Sequence, residues 1–368
     1  MKERTSVNLT QNPTSKWTTV NQTMQDQKIG ILCIQETHLT NEHETQIDTL
    51  FSRCLRVLNT SDPLRPGSSA GIAFILNKEL TNASNANMEI LIPGRAAILS
   101  LNWHNNETIR ILNVYTPNNA NEHHDFWNKI KTEWSRLNIS AIDFMLGDFN
   151  LTENPIDRAP TRLDNKPAIN ALRELQTAIN VHNTWWNEHP HHRLFTFSSN
   201  CQTLSRLDRI YTSEQHTESM LDWNMNVSQI PSDHQMVSVR FAPPGLPHIG
   251  RGRWTWPIGV MTDKDLIQQI IKIGNESQQE IDALSPRNNE TNPQTIWESF
   301  KNKITATAKE TTKKHLAKIN QRIRALTKDL QRTSNSKDID SPKDTRINRV
   351  IIEQEIDHLQ KNKISKRN

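Results

Sequence analysis

The chain has 368 residues, of which 34% are hydrophobic, 44 are Lys or Arg and 40 are Asp or Glu, so the net charge is +4. No stretch approaches the roughly 18 consecutive apolar residues of a membrane-spanning helix, and the N-terminal residues lack the apolar core of a signal peptide. Three widely spaced cysteines argue against a disulfide scaffold or a zinc ribbon. We therefore expect an intracellular protein of about two domains that does not bind a membrane.

Positive charge is concentrated near the C-terminus. Residues 301–368 contain 18 Lys or Arg and 8 Asp or Glu, a net charge of +10. Residues 1–300 contain the other 26 Lys or Arg and 32 Asp or Glu, a net charge of −6. Such a basic tail favours an anionic partner such as nucleic acid. A solvated helical face explains the same pattern equally well.

Short apolar runs alternate with polar, Asn-rich loops as far as residue 242. Strands rich in Ile, Val and Phe are predicted at Ile29–Gln35, Gly71–Leu76, Ala97–Trp103, Ile109–Tyr115, Phe144–Gly147, Leu194–Phe197, Asp208–Tyr211 and Met236–Phe241. Helical spacing predicts helices at Trp17–Gln27, His123–Leu137 and Pro167–Ile179. Strands interleaved with helices over this length predict an α/β sandwich of two sheets with outer helices.

The pattern changes after residue 242. Residues 243–257 are rich in Pro, Gly and Trp and are predicted to form a linker. Residues 258–368 form a basic helical region, with helices predicted at Asp263–Leu284, Pro293–Leu330 and Thr345–Lys363 and a polar loop at Thr333–Lys343. Their apolar stripes are more typical of packing faces than of functional surfaces.

Two apolar strands run directly into polar residues that could carry chemistry. Glu36 follows the strand of Gln35-Glu36-Thr37-His38, where its carboxylate could hold a hard cation such as Mg²⁺. Asp148 and Asn150 follow the strand of Leu146-Gly147-Asp148-Phe149-Asn150, and their spacing of two puts them on one face of an extended backbone. Alone, the first string also fits a surface glutamate and the second an Asx turn.

Three further strings supply a proton carrier and its partners. His234 in Ser232-Asp233-His234 could carry a proton or stabilise negative charge. Asp208 in Ser205-Arg206-Leu207-Asp208-Arg209 could accept the ring N–H of His234 and so fix its tautomer. Tyr115, at the end of Val114-Tyr115-Thr116-Pro117-Asn118, could bind a phosphate. A structural histidine, an Arg–Asp surface pair and a core tyrosine are the simpler interpretations of each string.

The order of these five strings resembles that of the endonuclease/exonuclease/phosphatase superfamily over residues 1–242. The region from Lys16 to Leu39 is especially similar to the endonuclease domain of non-LTR (LINE-like) retrotransposons of the fungal type. The helical region after Arg251 resembles the linker that precedes reverse transcriptase in those polyproteins. The paired-aspartate strand of reverse transcriptase is absent, so the chain resembles a fragment or a degraded copy.

The resemblance implies a four-layer α/β sandwich, with two mixed β-sheets flanked by helices, followed by a helical C-terminal extension. It also implies Mg²⁺-dependent hydrolysis of a phosphodiester, with Mn²⁺ as a substitute. The substrate would be target-site DNA, nicked in the nucleus. RNA is a second implied partner, through the basic C-terminal region.

Catalytic roles carry over by matching motif positions. Glu36 would hold the metal, and Asp148 would activate the attacking water or protonate the leaving group, with Asn150 positioning it. His234, oriented by Asp208, would stabilise the transition state. The remaining implied positions are Tyr115 at the phosphate, Asp233 and Asn8 at the metal, and Arg158, Thr196, Ser205 and Arg206 in substrate binding.

One departure from the family pattern lies at the first strand. The family usually has Asn-x-x-Gly there, whereas the best match here, Asn8-Leu9-Thr10-Gln11, lacks the glycine. Three alternatives therefore stay open: an apurinic-site nuclease, a phosphoinositide-type phosphatase, and an inactive remnant that binds nucleic acid. The cluster His189-Pro190-His191-His192 is interpreted as a hydrated loop in preference to a metal site.

Overall fold

The computed structural model describes residues 13–103, 107–139, 141–199, 203–227, 232–244, 263–284, 292–340 and 343–365. They belong to two compact units, one comprising residues 1–247 with 333–348 and the other residues 248–332 with 349–368. The predicted domain boundaries stay predictions, and residues 245–257 of the predicted linker lie outside the described part of the chain.

Within the described residues up to 244, the first unit contains fourteen strands and five α-helices. The strands are β1 (Ile31–Gln35), β2 (Leu55–Thr60), β3 (Ile72–Asn77), β4 (Asn87–Ile92), β5 (Ala96–Asn102), β6 (Thr108–Tyr115), β7 (Phe144–Asp148), β8 (Arg158–Ala159), β9 (Val181–His182), β10 (Phe197–Ser198), β11 (Leu204–Ser205), β12 (Asp208–Ser213), β13 (Met220–Val227) and β14 (Gln235–Phe241). The helices are α1 (Pro13–Asp26), α2 (Asn41–Leu50), α3 (His123–Leu137), α4 (Lys166–Ile179) and α5 (Thr184–Glu188).

Two sheets form the centre of this unit. The larger sheet has the strand order β4-β5-β6-β7-β12-β9, and the smaller one β1-β3-β2. Strands β6 and β7 run parallel, whereas β12 is antiparallel to β7, so the larger sheet is mixed. The smaller sheet is antiparallel throughout. A short sheet β10-β11-β8 and a ribbon β13-β14 accompany them.

Hydrophobic packing divides the unit into four layers. One core lies between the sheets, where Phe74 of β3 meets Leu99 and Ile111 of the larger sheet. A second core packs α1 and α2 on the smaller sheet, and a third packs α3 and α4 on the larger sheet through residues such as Trp127 and Leu172. The predicted fold class is confirmed. The layers form because side chains at alternate strand positions point to opposite faces of a sheet, so each sheet can pack apolar residues on both faces.

Several elements differ from the sequence prediction. Strands β2, β4 and β13 were not predicted, and the predicted strand at Leu194–Phe197 is reduced to Phe197–Ser198 of β10. Strand β13 has the sequence MLDWNMNV, whose polar residues favour a loop. Its pairing with β14 overrides that preference, because strand formation depends more on neighbours than on intrinsic propensity.

Gly147 allows β6 and β7 to approach closely just before Asp148. Its φ is +139°, and a β-carbon there would overlap the carbonyl oxygen of Val114. Gly147→Ala is therefore expected to lower the free energy of unfolding by about 1–3 kcal/mol, the usual cost of overpacking. Urea denaturation measures this loss. Gly67→Ala is the matched control, because its β-carbon would lie 3.7 Å from Thr40 Cγ2, and an equal loss in both variants would contradict the steric argument.

Long helices supply the described part of the second unit. They are α6 (Lys264–Asp282) and most of α7 (Pro293–Ser334) and α8 (Lys343–Ser365). Glu280 of α6 forms an ion pair with Lys303 of α7 (3.7 Å), and Asp263, the N-cap of α6, contacts His315 of α7 (3.2 Å), so the two helices run antiparallel. The predicted helical C-terminal region is confirmed. Within the described ranges, no helix is both long enough and apolar enough to cross a membrane.

Candidate active site

Three neighbouring strands of the larger sheet end at one edge in polar side chains. Tyr115 of β6 is paired with Asp148 of β7, and Asp148 is paired in turn with Asp208 of β12. The parallel and antiparallel pairings bring the C-terminal end of β7 beside the N-terminal end of β12. The register therefore gathers side chains that are separated by 93 sequence positions (208 − 115).

Asn150 is held immediately beyond Asp148. Its backbone N–H donates to Oδ1 of Asp148 at 2.9 Å, and its Nδ2 donates to the Thr116 carbonyl at 2.9 Å and to Oδ1 of Asn118 at 3.1 Å. Asn150 has φ +44°, a left-handed conformation that asparagine tolerates better than most residues. Asp148 and Asn150 thus stand at fixed positions on the sheet edge.

His234 and Asp208 form the predicted pair. The ring Nδ1 of His234 lies 2.8 Å from Oδ2 of Asp208. Asp208 is itself fixed, because the Thr196 hydroxyl accepts the backbone N–H groups of Leu207 and Asp208, each at 3.0 Å. The ring of Phe197 lies 4.8 Å from that of His234 and limits its movement.

Charge and burial shift the pKa of two of these groups. Burial by itself would lower the pKa of His234, but the charge and hydrogen bond of Asp208, with help from Asp148 and Asp233, raise it to about 10. Burial, reinforced by the charges of Asp208 and Glu36, raises the pKa of Asp148 to about 7 even though His234 opposes the shift. At neutral pH the pair therefore carries a cationic imidazole, and Asp148 lies near its midpoint of ionisation.

Glu36 lies at the rim of the same site. Its φ of +53° turns the chain sharply after β1, and Gln35 anchors the strand by donating to Oδ1 of Asn113 at 2.7 Å. The Tyr115 hydroxyl donates to Oε1 of Glu36. Burial, and then the neighbouring Glu36, raise the pKa of Tyr115, so this hydroxyl stays protonated and remains a donor.

The residues present fit a hard divalent cation. Ligand atoms of Asp148, Asp208 and His234 lie within 4.8 Å of one another, and Glu36 adds an exposed carboxylate that is close enough to affect the pKa of Asp148. The imidazole Nδ1 is already engaged by Asp208, so the oxygen atoms of Asp148 and Glu36 are the more suitable donors. Such a set, completed by water and phosphate oxygens, matches the preference of Mg²⁺.

The other sequence-predicted residues lie in different surroundings. Arg158 donates to the Ser205 hydroxyl at 2.9 Å and to Asp164 at 2.6 Å, and both Arg158 and Ser205 are buried. Arg206 is 2% exposed, with its guanidinium 4.4 Å from the Trp185 ring centre, which makes it a packing residue in this structure. Asp233 is exposed. Asn8 lies outside the described residues.

The histidine-rich loop is held by ring packing. His189 stacks on Trp185 with ring centres 5.3 Å apart, and its ring lies 5.4 Å from that of His192. In the described part of the chain, the one set of potential ligands close enough for a metal is that of Asp148, Asp208 and His234. The interpretation of His189–His192 as a hydrated loop stays a prediction.

Two residues at the site received no role from sequence reasoning. The Arg95 guanidinium lies 4.5 Å from the ring centre of Tyr115, where it stabilises the tyrosine and adds positive charge beside Glu36. Oδ1 of Asn118 accepts from Asn150 at 3.1 Å and lies 3.3 Å from the Tyr115 hydroxyl oxygen, so Asn118 lies between the two residues. Asn118 belonged to a string already singled out, whereas Arg95 precedes β5 with no pattern to distinguish it from a surface arginine.

The sequence matches no model of a known protein family, nor does it match any curated protein. Among solved structures, the AP endonuclease LMAP of Leishmania major is similar, with a TM-score of 0.53, 17% identity, and coverage of 64% of this chain and 84% of that one. The endonuclease domain of TRAS1, a telomere-specific non-LTR retrotransposon, gives a TM-score of 0.45 at 13% identity over 62% and 94% of the two chains. A 3′ phosphatase from Neisseria, bound to a product DNA hairpin, gives 0.47 at 14% over 62% and 95%. The likeness to the Leishmania enzyme shows an AP endonuclease-like fold.

Proposed function

We propose that the chain hydrolyses phosphodiester bonds of nucleic acid. The observation that carries this proposal is the His234–Asp208 pair at 2.8 Å, standing beside Asp148 at the edge of the larger sheet. A cationic imidazole beside a carboxylate that is half ionised at neutral pH supplies both an electrostatic partner for phosphate and a proton acceptor. The fold shared with a solved AP endonuclease supports the same chemistry.

Each residue of the candidate site has a separate role in the proposed hydrolysis. His234, kept protonated by Asp208, stabilises the charge that develops on the phosphate oxygens. Asp148 accepts the proton of the attacking water, and Asn150 orients that water beside it. Tyr115 donates to Glu36 and keeps its carboxylate aimed into the site. A divalent cation held by Glu36 and Asp148 would supply Lewis-acid stabilisation of the scissile phosphate.

The proposed substrate is DNA, and the proposed role is nicking of a target site for a non-LTR retrotransposon. The order of the five catalytic strings supports this role, as does the basic helical region. On α7, Lys309 and Lys313 line one shallow depression together with Leu316 and Ala317, and the positive charge of the two lysines supports binding to a nucleic-acid backbone. The same surface could bind RNA.

Plasmid nicking tests the proposal. The full chain is incubated with supercoiled plasmid in Mg²⁺ or in EDTA, beside His234→Ala. The wild-type chain should convert the plasmid to open circle in Mg²⁺ only, and His234→Ala should do so about 10²–10⁴-fold more slowly, the usual contribution of such a group.

His124→Ala is the matched control, because His124 also contacts an aspartate, Asp125 at 2.9 Å, but is exposed on α3. Equal rates for both variants would remove His234 from the mechanism. A folded wild-type chain that leaves plasmid intact in Mg²⁺ would contradict the proposed activity on DNA.

A further inference from the structure

The turn between α7 and α8 belongs to the first unit and packs against its strands β8 and β11. Residues Lys337–Asp340 form a short 3-10 helix, and Ile339 is completely buried against Ala159, Phe195 and Leu204. Arg346 closes the turn by donating to the Ile339 carbonyl at 3.1 Å. Sequence reasoning treated this stretch as a polar loop, so its docking is a finding of the structure.

Asp340 next to this apolar contact accepts hydrogen bonds from two residues. Its Oδ1 accepts the backbone N–H and the hydroxyl of Thr161 at 2.9 and 2.8 Å and Nη1 of Arg193 at 3.2 Å, and its Oδ2 accepts Nη2 of Arg193 at 2.8 Å. Burial would raise the pKa of Asp340, but the hydrogen bonds from Arg193 and Thr161 outweigh burial and lower it. The group bound here is thus a carboxylate anion.

The donors around Asp340 are those that also recognise phosphate. A guanidinium that presents two parallel N–H groups matches the oxygens of a carboxylate or of a phosphate, and a backbone N–H with a hydroxyl completes either shell. Arg193 is 14% exposed at its side chain, so it is held in place before any ligand arrives. Thr161 follows β8, and Arg193 precedes the segment that leads into β10.

One of these donors, Arg193, lies close along the chain to a residue that contacts the catalytic pair. Arg193 is three residues before Thr196, whose hydroxyl accepts the N–H of Asp208, so at most about 11 Å of backbone separates them. A DNA strand carries one phosphate per about 3.4 Å of helix axis. A strand held at His234 therefore spans a separation of this size within a few nucleotides.

We propose that Arg193 and Thr161 form a binding position for a backbone phosphate of the nucleic acid, and that Asp340 occupies it in the free chain. The proposal rests on the proposed function in that the ligand is the same nucleic acid. Substrate then competes with the chain's own carboxylate, and the turn between α7 and α8 restrains binding until it is displaced.

Equilibrium binding tests this competition without any cleavage. The dissociation constant of a fluorescent duplex is measured by anisotropy in EDTA for the full-length wild type and for Asp340→Asn. Asp340→Asn should tighten binding on the order of three- to tenfold. When the site is blocked in most molecules, the apparent affinity equals the intrinsic affinity multiplied by the unblocked fraction, and the substitution raises that fraction. Asp338→Asn is the matched control, since Asp338 is exposed in the same turn and the variant loses the same charge.

A double variant decides whether the gain comes from the proposed donors. Adding Arg193→Gln to Asp340→Asn should abolish the gain, with a melting curve to show that the chain is folded. Equal tightening by Asp338→Asn, or a gain that survives Arg193→Gln, would overturn the phosphate position, as would a failure of all chains to bind duplex. Plasmid nicking is measured in a separate experiment, so the two proposals can fail independently. Nicking without tighter binding by Asp340→Asn would contradict this inference alone. Tighter binding by Asp340→Asn without nicking would contradict the proposed activity alone.

Discussion

Glu36→Gln is expected to lower the rate of Mg²⁺-dependent nicking by about 10²–10³-fold, the usual cost of losing one preorganised electrostatic stabiliser. Glutamine keeps the size of the side chain and can still accept the hydrogen bond from the Tyr115 hydroxyl. The substitution removes the negative charge, which is what a divalent cation requires of its ligand. The loss should thus fall on chemistry and metal affinity and not on folding, because Glu36 is exposed.

Metal titration separates this role from a structural one. The variant should need a higher Mg²⁺ concentration for half-maximal rate, and its melting temperature without metal should equal that of the wild type. Glu42→Gln is the matched control, because Glu42 is exposed in the first turn of α2 and loses the same charge. An unchanged rate and an unchanged Mg²⁺ requirement in Glu36→Gln would place the metal elsewhere, for which Asp148, Asp208 and His234 provide the alternative ligand set.

The layers of the fold could be predicted from the sequence because alternation of apolar residues is a local signal. Strand β6 and helix α3 were predicted to within a residue, since each combines strong periodicity with clear ends. Helix α2 was missed because Ile47 is its sole buried residue, although Thr40 and His43 form a capping box at its start. Polar elements like this one are specified by caps and neighbours, which a periodicity search does not detect.

The residues of the candidate site were likewise predicted only where the sequence signal is local. The strings around Glu36 and Asp148 were visible because each places a charge directly after an apolar run, and the string around His234 because it places a histidine and an aspartate just before a predicted strand. Which arginine lies beside Tyr115 and Glu36 was not visible. Arg206 stands in a singled-out string yet packs on Trp185, whereas Arg95 stands in no such string yet packs on Tyr115. The docking of Ile339 depends on tertiary contacts of a single apolar residue in a polar stretch, a signal too small to detect beforehand.

Asp208→Asn is expected to reduce nicking at pH 8 by about 10²–10⁴-fold and to move the alkaline limit of activity toward acid. Asparagine preserves the shape of the Asp208 side chain, whose Oδ2 lies 2.8 Å from Nδ1 of His234, but removes the negative charge that keeps the imidazole protonated. With that charge, the pKa of His234 is about 10, and the cation persists through neutral pH. Without it, burial is opposed only by Asp148 and Asp233, so the pKa of His234 falls and the cation is lost at a lower pH.

The sign of the effect distinguishes electrostatics from simple misfolding. On the alkaline side, wild-type activity should fall only as the pH approaches about 10, and on the acid side it should fall as Asp148 becomes protonated below about pH 7. Asp208→Asn should lose activity at a lower alkaline pH and recover part of it when the pH is lowered from 8 to about 7, toward the ordinary pKa of histidine. Asp143→Asn is the matched control, because Asp143 pairs with His216 at 3.0 Å away from the catalytic residues, and it should leave the pH profile unchanged. A profile in Asp208→Asn that is lowered equally at every pH would mean that Asp208 only orients the ring, and that His234 acts as a neutral donor.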